Sequence, residues 1–365
     1  MNAPAVPRYV TGAAGNFDGC PPGHRFNLYF PIWNDGWQLD KNGKAGALGE
    51  CLKLGDAAEP LKALLARQQT YADTVPEDRR HIIEGRSTSP FATGLGLEHP
   101  VENGFAFLSP YGLPYLAGSG VKGVLRRAAE ELDLDGELPV GTVLTLFGHE
   151  DANDARRGAL TCWDVFPAPS KDEMVVEIMT PHFSHYYHPE KGKEHLATPH
   201  DAGKPNPIPF LAVPAGSAFR FVITCEPGLL GADIPEWKAV LDKIIRHAFD
   251  WLGFGAKTAV GYGAIAKLSD VEVSAARAHA AAKSKRCEWV DRTLDALCKQ
   301  TNAKPEDALR SKGLAEAWKS IEDPVMKSRA KADIVARRQA HGWWDSPPGK
   351  ASRQAKAIYM GNETS

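Results

Sequence analysis

The sequence lacks the features that would mark a membrane, secreted or zinc-binding protein. No apolar run is long enough to span a bilayer, and the first residues show no basic start followed by an apolar stretch. We therefore expect a cytoplasmic protein with neither a membrane span nor a secretory signal. No C-x-x-C pair occurs among the six cysteines, which indicates reduced thiols and argues against a zinc module. No repeat of 20–50 residues is visible either.

An excess of positive charge, the usual mark of nucleic-acid binding, is also missing from the chain as a whole. The net charge is −2, and the 43% hydrophobic and 24% charged residues are typical of a globular protein. Charge is unevenly distributed, however. Residues 271–365 hold 18 Lys and Arg against 12 Asp and Glu, a net of +6, whereas residues 1–270 hold 25 against 33, a net of −8. RNA binding would therefore depend on a local basic track rather than on bulk charge.

The most informative stretch is the glycine-rich run Gly253–Gly263, which reads GFGAKTAVGYG. Glycine brings no side chain to a core, so such a run is expected where the backbone turns with positive φ or approaches something closely. Exposed N–H groups beside Lys257 would form a phosphate-binding surface. The alternative is an inert turn between a helix and a strand. A Walker A loop is rejected, because Ala256 stands where that motif needs glycine and because a helix precedes the run.

That preceding helix is predicted over residues 236–252. Its apolar residues recur at i, i+3, i+4 and i+7, as in Trp237, Val240, Leu241 and Ile244, which indicates one face packed on a core.

A second helix is predicted in the segment Tyr111–Leu132, which reads YGLPYLAGSGVKGVLRRAAEEL. Ser119 is the expected N-cap, and Lys122 and Arg126 share one exposed face. The free N–H groups at the helix start, the helix dipole and Lys122 together predict an anion site. A solvated basic face on a surface helix remains the alternative.

The other patterns predict an α+β core followed, from a boundary near residue 270, by a basic helical extension. Strands are expected near residues 24–33, 105–108, 158–166, 174–179, 215–224 and 262–268. Helices are expected near residues 59–70, 287–300, 307–321 and 326–339. We expect the tail from Trp343, which contains Pro347 and Pro348, to be loose at its end. Two arrangements of this extension are open. In one, its last helix faces outward with its basic residues Lys327, Arg329, Lys331, Arg337 and Arg338. In the other, the extension packs on the 1–270 core through Trp289, Leu294, Leu297 and Trp318.

Histidines and aromatic residues are concentrated between Thr180 and Asp201. His182, His185 and His188 could bind a metal, but nearby prolines disfavour the helix that this spacing needs. A histidine general base of a ribonuclease is a second alternative. We favour a loop in which His182, Tyr186 and Tyr187 position or stack on RNA bases. A fourth interpretation is that the rings fill a gap between an insertion and the sheet.

Three of these segments together resemble one family, the RAMP superfamily of CRISPR-associated proteins. YGLPYLAGSGVKGVLRRA is similar to its motif GxPxxPGSSxKGxxR, with Ala117 in place of a common proline and Gly120 in place of a common serine. GFGAKTAVGYG resembles its C-terminal glycine-rich loop. TPHFSHYY followed by PIPFLAVPAGSAFRF resembles the middle of one RAMP subgroup, the sixth subunit of the type III-B (Cmr) effector complex. The matches span roughly Phe91 to Ala266.

The resemblance implies a ferredoxin-like, RRM-related core with insertions, within residues 1–270. It implies a non-catalytic subunit that holds the 3′ region of the CRISPR RNA (crRNA) and caps a row of backbone subunits in antiviral defence. Its expected partners are the crRNA, target RNA through the guide duplex, the backbone RAMP subunit and the neighbouring 3′-end RAMP subunit. No cofactor, metal or catalytic residue is expected. An RNA-processing endoribonuclease of the same fold is the alternative. The predicted RNA-binding residues are Ser119, Gly120, Lys122, Arg126, His182, Tyr186, Tyr187, Gly253, Gly255, Lys257, Thr258, Gly261 and Tyr262.

Overall fold

The computed structural model shows a mixed helix-and-sheet protein made of two compact units, Met1–Leu268 and Ser269–Ser365. It describes residues 3–7, 9–10, 17–150, 155–181, 184–187, 191, 198, 206–230, 234, 236–269, 271–275 and 287–361. None of the described helices is both long and apolar enough to cross a membrane.

Ten strands and seven α-helices have described bounds in the first unit. The strands are β1 (Arg80–Ser87), β2 (Phe107–Leu108), β3 (Leu113–Pro114), β4 (Gly148–His149), β5 (Arg156–Arg157), β6 (Leu160–Cys162), β7 (Val175–Met179), β8 (Ile208–Ala212), β9 (Ala218–Cys225) and β10 (Ile265–Lys267). The helices are α1 (Pro22–Asn27), α2 (Lys44–Gly49), α3 (Ala58–Thr74), α4 (Gly118–Leu134), α5 (Thr142–Phe147), the single turn α6 (Ser184–Tyr187) and α7 (Trp237–His247).

An antiparallel four-stranded sheet with the order β10-β1-β9-β6 forms the centre of this unit. Alternate residues of a strand point to opposite faces, and Phe219, Phe221 and Ile223 of β9 therefore share one buried face. The helices α4 and α7 pack on that face, because their apolar stripes, which include Val121 and Ile244, belong to the same core. Along the chain, these elements occur in the order β1, α4, β6, β9, α7, β10.

The opposite face of the sheet is crossed by α3. Arg220, which alternates with the buried phenylalanines of β9, donates to Gln69 of α3 over 2.9 Å and to Glu84 of β1 over 3.0 Å. Arg80 at the start of β1 donates to the carbonyl of Ala72 over 2.5 Å. Part of this side of the sheet thus carries a helix held through polar contacts, whereas Arg86 and Ala218 of the same face are exposed.

The strand predicted over residues 24–33 is wrong, because its first part is the helix α1. Pro22 occupies the first turn of that helix, where its missing N–H is no loss. Arg25 and Phe26 are both buried, although strict alternation would put them on opposite faces. Phe26 stacks on His99 with ring centroids 3.7 Å apart, and Arg25 donates to the carbonyl of Glu50 over 2.7 Å.

The second unit is helical, with α8 (Glu288–Thr301), α9 (Pro305–Arg310), α10 (Lys312–Lys319), α11 (Pro324–Ala340) and α12 (Gly349–Met360). The single helix predicted over 307–321 is two helices, because Ser311 ends one and caps the next through a 3.2 Å bond from the Leu314 N–H. The tail from Trp343 includes α12, which buries Ala355 and Tyr359, and its last residues, 362–365, lie outside the described residues. Trp289, Leu294, Leu297 and Trp318 lie in this unit's own core.

The alternative in which the basic helix α11 presents all five of its cations to solvent is wrong. Arg338 is 0% exposed and donates to the carbonyl of Ser352 over 2.8 Å. Arg337 pairs with Asp291 at 2.7 Å and Asp333 at 2.8 Å. Lys327 and Lys331 lie over the Trp318 ring, at 5.4 Å and 5.8 Å from its centroid. Of the five, Arg329 alone is exposed.

Candidate nucleic-acid interface

The sheet and the helices packed on it position both the glycine-rich run and the start of α4. β1 ends at Ser87, which pairs with Ile265 at the start of β10, directly after the run. α7 continues as a π-helical turn, Ala248–Leu252, which packs against α4 and leads into the run. The residues that follow β6 meet the first residue of α4 beside Cys162, which pairs with Ile223 of β9 at the level of His81 in β1. The two predicted anion-binding elements therefore belong to the same sheet-and-helix unit, linked through the packing of the π-helical turn on α4.

The glycines of the run are required by close packing. Gly263 has φ +70°, and a Cβ built on it would lie 1.8 Å from the carbonyl oxygen of Phe254. Gly255 has φ +89°, and its Cβ would lie 2.3 Å from the carbonyl oxygen of Ala92. Since no side chain fits such distances, these two positions need glycine for the fold, whatever the loop binds.

The expectation of a row of free N–H groups along the run is wrong for most of its residues. The Ala256 N–H donates to Ala92 over 2.7 Å, and the Gly263 N–H donates to Pro90 over 2.8 Å. These bonds tie the loop to the segment that follows β1, so few donors remain for a ligand. N–H groups that donate to main-chain carbonyls are those of Gly253, Phe254, Ala256, Val260, Gly261, Tyr262 and Gly263.

Lys257 projects from the run toward the hairpin formed by β7 and β8. Its backbone is left-handed, with φ +61°, and it precedes a 3-10 turn over Thr258–Val260. Its Nζ lies 2.9 Å from the sulfur of Met179 and 5.8 Å from the centroid of the buried Phe210 ring. A thioether is a weak acceptor for an ammonium group, so this cation retains capacity for a stronger anionic partner.

Tyr262 fastens the other end of the run to the same hairpin. Its hydroxyl donates to Glu177 Oε2 over 3.0 Å, and its ring lies 5.6 Å from that of Phe210. Burial, and then the hydrogen bond and negative charge of Glu177, raise the pKa of Tyr262 to about 12. The tyrosine therefore stays protonated and donates at every physiological pH.

The hairpin also carries the histidine-rich stretch between its two strands. Tyr186 and Tyr187, in the turn α6, are exposed, with ring centroids 5.3 Å apart. His182 lies outside the described residues, as do His188, His195 and His200, and only the backbone of His185 is described. Because Met179 ends β7 beside Lys257, this stretch begins next to the glycine-rich run.

The start of α4 differs from the expected anion site in two respects. Ser119 is not the N-cap; Ala117 is, without a side-chain bond. The first donor, the Gly118 N–H, is taken by Asp164 Oδ1 at 2.7 Å. A carboxylate bound there satisfies part of the positive helix end. Ser119 and Gly120 are exposed and still available.

The two cations of α4 have different surroundings. Arg126 Nε donates to Glu130 over 3.0 Å. Lys122 forms no ion pair with the residues that the structure describes and lies near Cys162, where its charge partly opposes the effect of burial. Burial of Cys162 dominates and raises the pKa of its thiol to about 12, so the thiol is unreactive. Lys122 is thus the freer of the two cations.

Sequence reasoning missed the residues that hold the run in place. Glu177, Met179 and Phe210 contact Lys257 and Tyr262. The alternation within Val175–Met179 placed Glu177 and Met179 on one face of a strand, but nothing in the sequence indicated which partner that face would meet.

Histidine–carboxylate pairs, which the sequence did not reveal, occur away from the run. His247 of α7 lies 2.8 Å from Glu131 of α4, and His81 of β1 lies 3.3 Å from Asp242 of α7. The hydrogen bond from His247 lowers the pKa of Glu131. Each pair joins two packed elements of the first unit. In the part of the chain that the structure describes, no group of three or more His, Cys, Asp or Glu residues could hold a metal ion.

Comparison with known proteins identifies relatives of this region. Residues 86–266 match the family model of the RAMP superfamily. The chain is 25% identical over 249 residues to the CRISPR system Cmr subunit Cmr6 of Pyrococcus furiosus, with 53% of this chain and 70% of that protein covered.

Two solved structures are also similar. The first is the type III-B Cmr-beta complex bound to cognate target RNA, with 20% identity, 63% of this chain and 71% of that chain covered, and a TM-score of 0.43. The second is the crystal structure of Cmr6 from Pyrococcus furiosus, with 21% identity, 52% and 98% covered, and a TM-score of 0.29.

Proposed function

Because this chain belongs to the RAMP superfamily through residues 86–266, we propose that it is a subunit of a type III-B CRISPR (Cmr) effector complex that is guided by RNA and destroys target RNA. The curated relative is named as a subunit of the Cmr system, and the aligned part covers 70% of it. The chain would act in antiviral defence as part of a cytoplasmic ribonucleoprotein.

The core of the subunit would be a ferredoxin-like, RRM-related domain with insertions. The order β1, α4, β6, β9, α7, β10 and the fully antiparallel sheet order β10-β1-β9-β6 support this proposal. The second unit, with its own apolar core, would be a helical extension added to that domain.

Within the complex, we propose that the chain binds RNA along the glycine-rich run, the β7–β8 hairpin that contacts it, and the start of α4. The single observation that carries this is the position of Lys257. Its ammonium group is held 2.9 Å from a thioether at the base of a tyrosine-bearing hairpin. A phosphate oxygen would be a far stronger partner for this group than sulfur, because both partners would then be charged.

The RNA would be the 3′ region of the crRNA, with target RNA reached through the guide duplex. The subunit would cap the row of backbone RAMP subunits and adjoin a neighbouring RAMP subunit. The family resemblance supports these assignments. The predicted RNA-binding residues remain those of the sequence analysis, and Lys122 and Lys257 are the ones whose surroundings best suit an incoming phosphate.

We propose that the chain has no nuclease activity of its own. Its described histidine–carboxylate pairs join packed elements, which suits a structural role. Incubation of the isolated protein with repeat RNA and with target RNA tests this directly. Both RNAs should stay intact, and specific cleavage of either would favour the endoribonuclease instead.

The phosphate contact is tested by Lys257→Ala. The affinity for single-stranded RNA should fall evenly across sequences, and the salt dependence of binding should lose about one unit of slope. Lys243→Ala is a matched control, because Lys243 is a partly exposed lysine of α7 that already pairs with Glu137 at 2.7 Å. An unchanged slope in Lys257→Ala would remove the phosphate contact at this residue.

A further inference from the structure

A set of aromatic and arginine side chains lies on α3 and beside the start of α4, and no part of the proposed site uses it. We call it the α3 aromatic surface and define it as Arg67, Tyr71, Tyr111 and Trp163. Tyr71 is 64% exposed, and its ring centroid lies 5.2 Å from that of Trp163 with the planes 33° apart. A tyrosine this exposed contributes little to the core, and its ring is accessible to a ligand.

The second half of the surface is an ordered arginine. Arg67 precedes Tyr71 by four residues and therefore shares its helix face. Its Nη2 donates to the hydroxyl of Tyr111 over 3.0 Å, and its guanidinium carbon lies 5.8 Å from the centroid of that ring. Among the described residues no carboxylate forms an ion pair with Arg67. Its charge is positioned by a neutral hydroxyl and stays available to an anion.

The helix that carries these side chains is held rigidly at this point. Gln68 donates to the carbonyl of Asp164 over 2.8 Å, and the neighbouring Gln69 accepts from Arg220 over 2.9 Å. A surface held in place before binding loses little conformational freedom when a ligand docks.

The surface is continuous with the proposed RNA site. Trp163 directly precedes Asp164, whose carboxylate accepts the Gly118 N–H at the start of α4. The Gly118 α-carbon packs so closely on this segment that an added Cβ would lie 2.9 Å from the Trp163 carbonyl carbon. Lys122 lies one turn further along α4, near Cys162. Lys122, the start of α4 and the Tyr71–Trp163 pair thus all lie around the end of β6.

We propose that the α3 aromatic surface binds single-stranded RNA, with an unpaired base stacked on Tyr71 and Trp163 and the adjoining backbone held by Arg67 and Lys122. Unpaired bases are recognised on aromatic faces and on arginine planes, and a positive groove beside them follows the backbone. The inference rests on the proposed function and adds to it a base-stacking surface on the helix that covers the sheet.

The test is fluorescence anisotropy with a fluorescein-labelled, mixed-sequence single-stranded RNA and the full-length protein. Tyr71→Ala should weaken binding by about 5- to 150-fold, the range that corresponds to one lost stacking contact. Because stacking releases no counterions, the salt slope should stay unchanged. Tyr71→Phe keeps the ring and should bind like the wild type. Trp37→Ala, which removes an aromatic residue that is 63% exposed and lies outside the surface, should also bind like the wild type.

A photocrosslink from 4-thiouridine RNA to the peptides that contain Tyr71 or Trp163 should confirm contact without any substitution. Wild-type affinity for RNA in Tyr71→Ala would overturn the inference. If that variant binds RNA normally but fails to enter the complex, the surface contacts a protein instead. If the wild type binds RNA and Lys257→Ala weakens it while Tyr71→Ala does not, the proposed function stands and only this inference falls. A wild type that binds no RNA would remove both.

Discussion

Gly263→Ala should destabilise the first unit more than an alanine substitution at a glycine of the same run whose surroundings are open. The left-handed φ of +70° alone costs an alanine about 1–2 kcal/mol. The new Cβ would lie 1.8 Å from the Phe254 carbonyl oxygen, so the backbone must move. That movement weakens the 2.8 Å bond from Gly263 to Pro90 and the 2.9 Å bond from Phe254 to Gly263. At about 1 kcal/mol for each bond, the free energy of unfolding should fall by roughly 3–4 kcal/mol.

Gly261→Ala is the matched control, because Gly261 has φ +93° but nothing within 4 Å of its added Cβ. It should lose only the strain, about 1–2 kcal/mol. Amide hydrogen exchange of the β1 and β10 peptides under native conditions measures both variants without interference from the helical unit. Equal effects of the two substitutions, or wild-type protection in Gly263→Ala, would refute the claim that close packing fixes this glycine.

Three further outcomes are expected. The paired substitution Lys122→Glu/Arg126→Glu should leave the protein folded but unable to protect guide RNA from added nuclease, and normal protection by a folded variant would take these residues out of the site. His182→Ala should leave target cleavage by the assembled complex intact, and cleavage lost in a fully assembled complex would contradict the non-catalytic assignment. Because the second unit has its own core, removal of 271–365 should preserve the melting temperature of the remainder but abolish incorporation into the complex. Full incorporation with unchanged stability would show that the extension is not an interface.

The sequence predicted the long elements well, because their periodic apolar residues follow directly from core packing. α4, α7 and β9 were found near their observed bounds. The strand predicted from the alternation around Phe26 was wrong because Arg25 is buried as well. Its guanidinium donates to carbonyl groups distant in the chain, which no local pattern reveals. The prediction that Arg338 faces solvent failed for the same reason, since its partner Ser352 lies 14 residues further along the chain.

At the candidate site, sequence reasoning identified the run and its lysine but misjudged the donors. Glycine content indicates that the backbone is unusual, yet it does not distinguish a loop that exposes its N–H groups from one that packs them against a neighbour. In this protein the loop packs on Ala92 and Pro90, and its lysine turns toward Met179. The α3 aromatic surface escaped notice because Tyr71 and Trp163 are far apart in the sequence.

If the chain binds RNA as proposed, the size of its sheet would limit the footprint of one subunit. The end of the sheet, which three inter-strand spacings make about 14 Å wide, would set the length of strand that this edge could contact. A stacked strand advances about 3.4 Å per nucleotide, so one copy would span about four nucleotides. A guide of useful length would then have to be shared among several subunits standing side by side, each reading a short segment and handing the strand to its neighbour.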